Sequence, residues 1–167
     1  KRLQRIRELF PAVECSSEAD KVLADPAIQA VVVATPVQTH FNLVKKALLA
    51  GKHVLCEKPL CETVAQGREL TDLAQARRRV LMVGHVFLFN PGIIKVKEIL
   101  DSGAMGNLHY MHAIRTNLGP IRRDCNAAFD LATHDISIFN WLAGSDPLDV
   151  SATGGCFLQP GIEDVVS

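Results

Sequence analysis

Apolar positions along the chain change period several times, and each change marks the start of a new element. Residues 1–10 carry Leu3, Ile6 and Phe10 at helical spacing, stopped by Pro11. Ser17 stands where it can cap a short helix to about residue 24, which Asp25-Pro26 ends. Ala30-Val-Val-Val-Ala34 is a wholly apolar, β-branched run of the kind buried in a parallel sheet. Thr35-Pro36 turns the chain, Thr39 can cap a helix over residues 40–50, and Gly51 stands at its carboxyl end. A strand at Val54 and Leu55, a helix from Thr63 to about residue 78, and a strand over residues 80–83 follow. The order β-α-β-α-β predicts a doubly wound sheet with right-handed crossovers.

From Asn90 the pattern changes. Pro91 opens a helix through Leu100 that closes at Ser102-Gly103, and residues 107–117 alternate loosely, as in a strand carrying His109, His112 and Arg115. A helix over residues 127–143 ends at Gly144, residues 148–157 alternate again, and residues 162–167 read as the start of another strand. The predicted architecture is therefore α/β: an incomplete Rossmann-like domain over residues 1–88, then an incomplete α+β domain with a largely antiparallel sheet over residues 89–167. A nucleotide-binding unit normally opens with a strand, a G-x-G-x-x-G turn and a helix. These residues contain no such turn. The chain is expected to be an internal piece of a longer protein, inactive by itself, with the strand at residues 31–33 left as an unpaired edge.

Composition narrows the partners. Eighteen basic residues balance eighteen acidic ones, which gives no reason to expect nucleic acid or an anionic membrane. The one dense basic run, Arg77-Arg78-Arg79, follows a helical stretch and suits a solvated helix end. No apolar run approaches the roughly 20 residues needed to span a bilayer. Five scattered cysteines without a C-x-x-C pair suggest reduced thiols in the cytoplasm, with Cys56 and Cys156 packed in strands.

Two constellations can carry chemistry. His53-Val-Leu-Cys-Glu57-Lys58-Pro59 ends an apolar strand in a carboxylate, an amine and a turn, and ligands of open α/β sheets gather outside the carboxyl ends of strands. A lysine there can stabilise developing alkoxide charge, or it can be an ordinary solvated turn residue. On the helix over residues 127–143, Phe129, Ala132, Ile136, Phe139 and Ala143 form an apolar stripe, broadened by Leu131, Ile138 and Leu142. Asp130, His134 and Ser137 form a polar line beside Thr133. An aspartate one turn from a histidine can orient the ring for proton transfer. The same line also fits the wet side of an amphipathic helix. His85, His109 and His112 share no ligand-like spacing with a carboxylate or cysteine, so no metal site is expected. The loop over residues 115–126 is rich in arginine and asparagine, which suits carboxylate or phosphate groups, or solvent.

In combination, Ala34-Thr-Pro-x-x-x-His40, Ala50-Gly-Lys-His-Val-Leu-x-Glu57-Lys58-Pro59, Gly84-His85 and Asp130-x-x-x-His134-Asp135 resemble the glucose–fructose oxidoreductase/inositol dehydrogenase (Gfo/Idh/MocA) family. The resemblance implies a Rossmann domain followed by an α/β domain whose sheet often builds a homo-oligomer, with NAD or NADP as cofactor, NAD favoured. It implies Lys58, Asp130 and His134 as the catalytic residues and Thr35, Pro36, His40, Glu57, Lys58 and Pro59 as lining the cofactor. Residues 84–91, 117–122 and 130–137 further resemble the nucleotide-sugar 3-dehydrogenases of surface-polysaccharide pathways. Arg115, Asn117 and Arg122 are the expected substrate contacts, and cyclitol or free-sugar dehydrogenases and a non-catalytic sensor or scaffold are the alternatives.

Overall fold

The computed structural model describes residues 2–117, 119, 121, 123 and 125–167. The chain divides into two compact units, Lys1–Gly84 and His85–Ser167.

In the first unit, β1 (Ala30–Val33), β2 (His53–Cys56) and β3 (Leu81–Val83) form a parallel sheet in that order. Its register pairs Val31 with Val54 and Val54 with Leu81. The crossovers are α3 (Val37–Leu49) and α4 (Val64–Ala76), while α1 (Arg2–Leu9) and α2 (Ala19–Ala24) precede the sheet. Alternation decides what is buried: Val33, Val54 and Cys56 turn into a core with Val44, Ala47, Leu48, Leu70 and Ala74 from α3 and α4. Full burial of Leu48 or Leu70 contributes about 2 kcal/mol each. The β1 run is parallel, as expected, but among the described residues it is an edge that pairs only with β2, and Val32 is 69% exposed.

Two predicted caps move. Glu18, not Ser17, occupies the N-cap of α2, where the Ser16 hydroxyl accepts from the Glu18 N–H at 3.0 Å. α3 begins at Val37 after Pro36, so Thr39 lies inside its first turn and donates to the Pro36 carbonyl at 2.7 Å. Proline's fixed φ suits entry to a helix and lets α3 start three residues early. Thr63 caps α4 as expected, its hydroxyl accepting from the Gln66 N–H at 3.2 Å. Gly51 closes α3 at φ +74°.

The second unit opens on a 3₁₀ turn over Val86–Phe89 and continues into α5 (Pro91–Asp101). The Asn90 side chain caps α5, accepting from the Gly92 N–H at 2.8 Å. Residues 107–117 form no strand, contrary to their alternation, because no described segment pairs with them. The alternating stretch over residues 148–157 contributes only β4 (Gly154–Gly155), antiparallel to β5 (Val165–Val166). Cys156 falls just outside β4 and is exposed, so only Cys56 of the two takes the buried strand position expected.

The helix over residues 127–143 is not uniform. Ala128–Ala132 is a π-helical turn, in which the Thr133 N–H reaches back to the Ala128 carbonyl, and α6 (Thr133–Ala143) is regular from there to Gly144 at φ +68°. Its buried residue is Ile138, while Ile136 and Phe129, members of the expected apolar stripe, are exposed. Apolar residues surround most of this helix, so their spacing alone does not choose the inward face.

Candidate active site

Three strand ends carry the candidate residues of the first unit. Beyond β1 lie Thr35 and Pro36, beyond β2 lie Glu57, Lys58 and Pro59, and beyond β3 lies Gly84. Parallel pairing continues past the strands, with the Glu57 N–H donating to the Val33 carbonyl at 2.9 Å and the Gly84 N–H to Cys56 at 2.7 Å. The three tips are thereby held side by side.

His40 ties two of these tips together. It is 1% exposed on the buried face of α3, with Nε2 at 2.7 Å from the Thr35 carbonyl and Nδ1 at 2.9 Å from the Pro59 carbonyl. Both neighbours are acceptors, so a ring with a single N–H donates to one carbonyl and only abuts the other, with the tautomer deciding which; the side chain still bridges the two tips as a brace. The Thr35 and Thr39 hydroxyls meet at 2.6 Å and fix the start of the same turn. Lys58 follows the brace, half-buried, through a cis Lys58–Pro59 bond. Glu57 lies over Gly84: a Cβ at that glycine would stand 3.2 Å from its Oε2. This close approach has no signature in the sequence beyond the glycine itself.

Directly beneath, Cys56 is fully buried. Burial, with Glu57 and Cys61 adding to it, pushes its thiol up to about 12, so it stays protonated and packs as an apolar residue. A cleft of about 540 Å³ opens elsewhere in this unit, at the amino ends of the strands beside Lys52, His53 and Arg79. None of the expected site residues lines it.

In the second unit, Asp130 sits in the π-turn and His134 in the first turn of α6. π-turns inside helices often occur at functional sites, because the wider turn re-aims the side chains it carries. The His134 ring meets Phe87 edge to face, centroids 4.7 Å apart at 72°. Arg115 lies over the same Phe87, its guanidinium carbon 4.7 Å from the ring centroid. It also forms a two-pronged ion pair with Asp135, Nε to Oδ2 at 2.7 Å and Nη2 to Oδ1 at 2.8 Å. Hydrogen bonding from Arg115 holds the Asp135 carboxyl below its usual range, and the same bond raises Arg115. Sequence reasoning gave Asp135 and Phe87 no role. Asp135 could have been suspected from its place beside His134, whereas nothing in the sequence singles out Phe87.

Asn117 is exposed, and Arg122 lies outside the described residues. His85 is half-buried, with no partner for its Nδ1 among the described residues, and burial lowers its pKa. Among the described residues no group of His, Cys, Asp and Glu is gathered as metal ligands, and no helix is long and apolar enough to cross a membrane.

Comparison with known families decides what this scaffold is. Residues 1–85 match the model described as the GFO/IDH/MocA oxidoreductase family with an NAD-binding Rossmann fold, and residues 93–167 match the GFO/IDH/MocA C-terminal domain. The chain belongs to this oxidoreductase family. Similarity to an inositol 2-dehydrogenase of Gluconacetobacter diazotrophicus is 36% identity over 134 residues, covering 78% of this chain and 40% of that protein. A UDP-N-acetylglucosamine 3-dehydrogenase of Acidithiobacillus ferrooxidans is 32% identical over 154 residues, 90% of this chain and 47% of that protein. The chain therefore spans less than half the length of either relative. A crystal structure described as a "probable dehydrogenase" from Thermotoga maritima superposes with a TM-score of 0.84 over 99% of this chain and 53% of that one, at 24% identity, a likeness of fold. The sheet and helices of the first unit are thus a Rossmann-like NAD-binding scaffold of the GFO/IDH/MocA type, as the motifs led one to expect.

Proposed function

We propose that the protein, at full length, is an NAD(P)-dependent dehydrogenase that moves a hydride between nicotinamide and a hydroxyl-bearing carbon of a sugar, C3 of a nucleotide-linked sugar being the favoured position. The observation that carries the reading is the braced cluster at the carboxyl ends of the sheet, where His40 holds the Thr35 and Pro59 carbonyls and keeps Glu57 and Lys58 at the tips. That is where ligands of open α/β sheets bind. The exposed Thr35 hydroxyl and Glu57 carboxylate and the half-buried Lys58 ammonium offer the mixed donors and acceptors that suit the nicotinamide–ribose end of NAD or NADP. No G-x-G-x-x-G turn occurs in these residues, so they do not fit the pyrophosphate.

When bound, the nicotinamide supplies the hydride acceptor. His134 takes the hydroxyl proton of the substrate, Asp130 orients His134, and the Lys58 ammonium stabilises the negative charge that develops on the substrate oxygen. Asn117, exposed ahead of the π-turn, and Arg122 remain candidates for substrate contact. The two-pronged Arg115–Asp135 pair makes Arg115 a poorer one. Reduced thiols at Cys15, Cys56, Cys61 and Cys156 suit a reducing compartment, which supports a cytoplasmic setting. Tyr110 and Ile114, exposed on residues 107–117, suit a surface covered in a homo-oligomer.

Likeness to the UDP-N-acetylglucosamine 3-dehydrogenase over 90% of the chain supports the nucleotide-sugar branch. Likeness to the inositol 2-dehydrogenase at 36% identity favours a cyclitol as the second reading. Incubating the full-length protein with NAD or NADP and a panel of UDP-N-acetylhexosamines, their uronates, inositols and free sugars separates the two by which substrate yields reduced nicotinamide. The Lys58→Ala variant is expected to lose turnover by about 100-fold or more while still binding cofactor. Failure of every substrate, with cofactor binding intact, would put a sensor or scaffold in place of an enzyme.

A further inference from the structure

Arg115 was expected to touch substrate, yet its guanidinium is spent on the protein. Two of its three nitrogens donate to the two carboxylate oxygens of Asp135, the parallel fork that arginine forms best. The pair is sheltered, the side chains being 27% and 19% exposed, so it is more than a solvent-washed surface contact. The guanidinium carbon lies over the Phe87 ring, 4.7 Å from its centroid, and Phe87 in turn meets the His134 ring edge to face. The peptide bond from Asp135 to His134 closes the circuit. Three side chains, Phe87 of the 3₁₀ turn, Arg115 of residues 107–117 and Asp135 of α6, are thus linked to one another and to the imidazole of His134.

We propose that Arg115 is a positioning residue for His134, which it holds through Asp135 and Phe87, and that it is not a ligand of the substrate. The proposal rests on the reading of His134 as the proton acceptor. Arg115 has two effects on that ring. It fixes Phe87, and so the wall against which the imidazole leans. It also neutralises the Asp135 carboxylate, which would otherwise act as a second negative charge beside His134. Among the described residues, the titratable and charged groups of the elements packed on α6 include His85, which opens the 3₁₀ turn. Asp130 precedes His134 on its own helix, the 3₁₀ turn contributes the apolar Phe87, and α5, packed on α6, has Lys95 paired with Glu98 and Lys97 with Asp101.

The test is the pH profile of turnover by the full-length protein with the substrate that the panel above identifies. In the direction of hydroxyl oxidation, activity rises with pH as the accepting imidazole loses its proton. Arg115→Met leaves Asp135 uncompensated and is expected to move this acid limb upward by about one pH unit. It should also lower kcat roughly tenfold to a hundredfold through misplacement of the ring, with KM changed less than about threefold. Asp135→Asn leaves the guanidinium uncompensated, so the limb should move the other way. The double variant removes both charges and should return the limb to its original place while kcat stays low.

A raised KM with an unmoved acid limb in Arg115→Met would make Arg115 a substrate ligand and overturn the proposal, as would single variants with unchanged profiles. If Arg115→Met does not fold, the opposite shift in Asp135→Asn, together with Arg115→Lys keeping the limb in place, decides the matter in the same way. The His134→Asn variant serves as control. Full activity there refutes the reading of His134 itself, an outcome distinct from failure of the role given to Arg115.

Discussion

Replacing His40 with leucine tests whether the strand tips are braced as described. Leucine can fill the space against α3 but donates nothing to the Thr35 and Pro59 carbonyls, which the native ring reaches at 2.7 and 2.9 Å. Leaving a buried acceptor unmatched costs about 1–3 kcal/mol. Both partners accept, so a ring with one N–H forms one hydrogen bond here, and the cost is counted for that single bond. The net cost comes to about 2 kcal/mol. The sole tryptophan, Trp141, lies in the second unit, so its fluorescence does not report on this change. Amide hydrogen exchange does: protected amides of β2 and the Glu57 N–H should exchange about 30-fold faster in His40→Leu, the factor that corresponds to 2 kcal/mol. Amides of α6 should be unaffected. An acceleration of less than about threefold at β2 would mean that water already satisfies those carbonyls and that the brace contributes nothing.

Other consequences follow from neighbouring contacts. Gly84→Ala places a Cβ 3.2–3.4 Å from the Glu57 carboxylate, which must give way by a few tenths of an ångström. Because Glu57 is exposed, stability should fall by less than about 1 kcal/mol, whereas the KM for NAD rises; an unchanged KM would remove Glu57 from the cofactor side. Thr63→Ala deletes the cap of α4 at a cost of about 1 kcal/mol in chemical denaturation, and Thr63→Ser should retain most of it. The Asp135 carboxyl is held below its usual range by Arg115, so its contribution to stability is present above the ordinary aspartate pKa and is lost as pH falls through the folded value. Native protein should therefore exceed Arg115→Met in stability most clearly near neutrality, with the gap closing at acid pH from about 4 downward. A gap independent of pH would assign the loss to packing on Phe87 alone.

How much could be read from the sequence differs between the two units for a physical reason. In the first, short apolar runs, β-branched in β1, alternate with helical spacing, and parallel strands joined by crossovers leave few ways to pair. The parallel sheet and the carboxyl-end position of Glu57 and Lys58 then follow from the pattern. Its errors are local: Pro36 could start α3 earlier than Thr39 suggested, and Ser17 lost the cap of α2 to Glu18. In the second unit, alternation over residues 107–117 specifies two faces but no partner, and a strand exists only where another strand accepts its hydrogen bonds. Tyr110 and Ile114 accordingly stand exposed at 78% and 81%.

The polar line on the helix over residues 127–143 was drawn with a period of 3.6, and the π-turn at Ala128–Ala132 breaks that period between Asp130 and His134. Insertion of a wider turn leaves no mark in composition or spacing, so the wheel could select the two residues without fixing their relative direction. The same holds for Arg115. Its charge and its place before the helix made it look like a hand held out to an anionic substrate. Its neighbours in space, Asp135 and Phe87, are 20 residues after it and 28 before it, and they turn that hand inward toward the histidine it steadies.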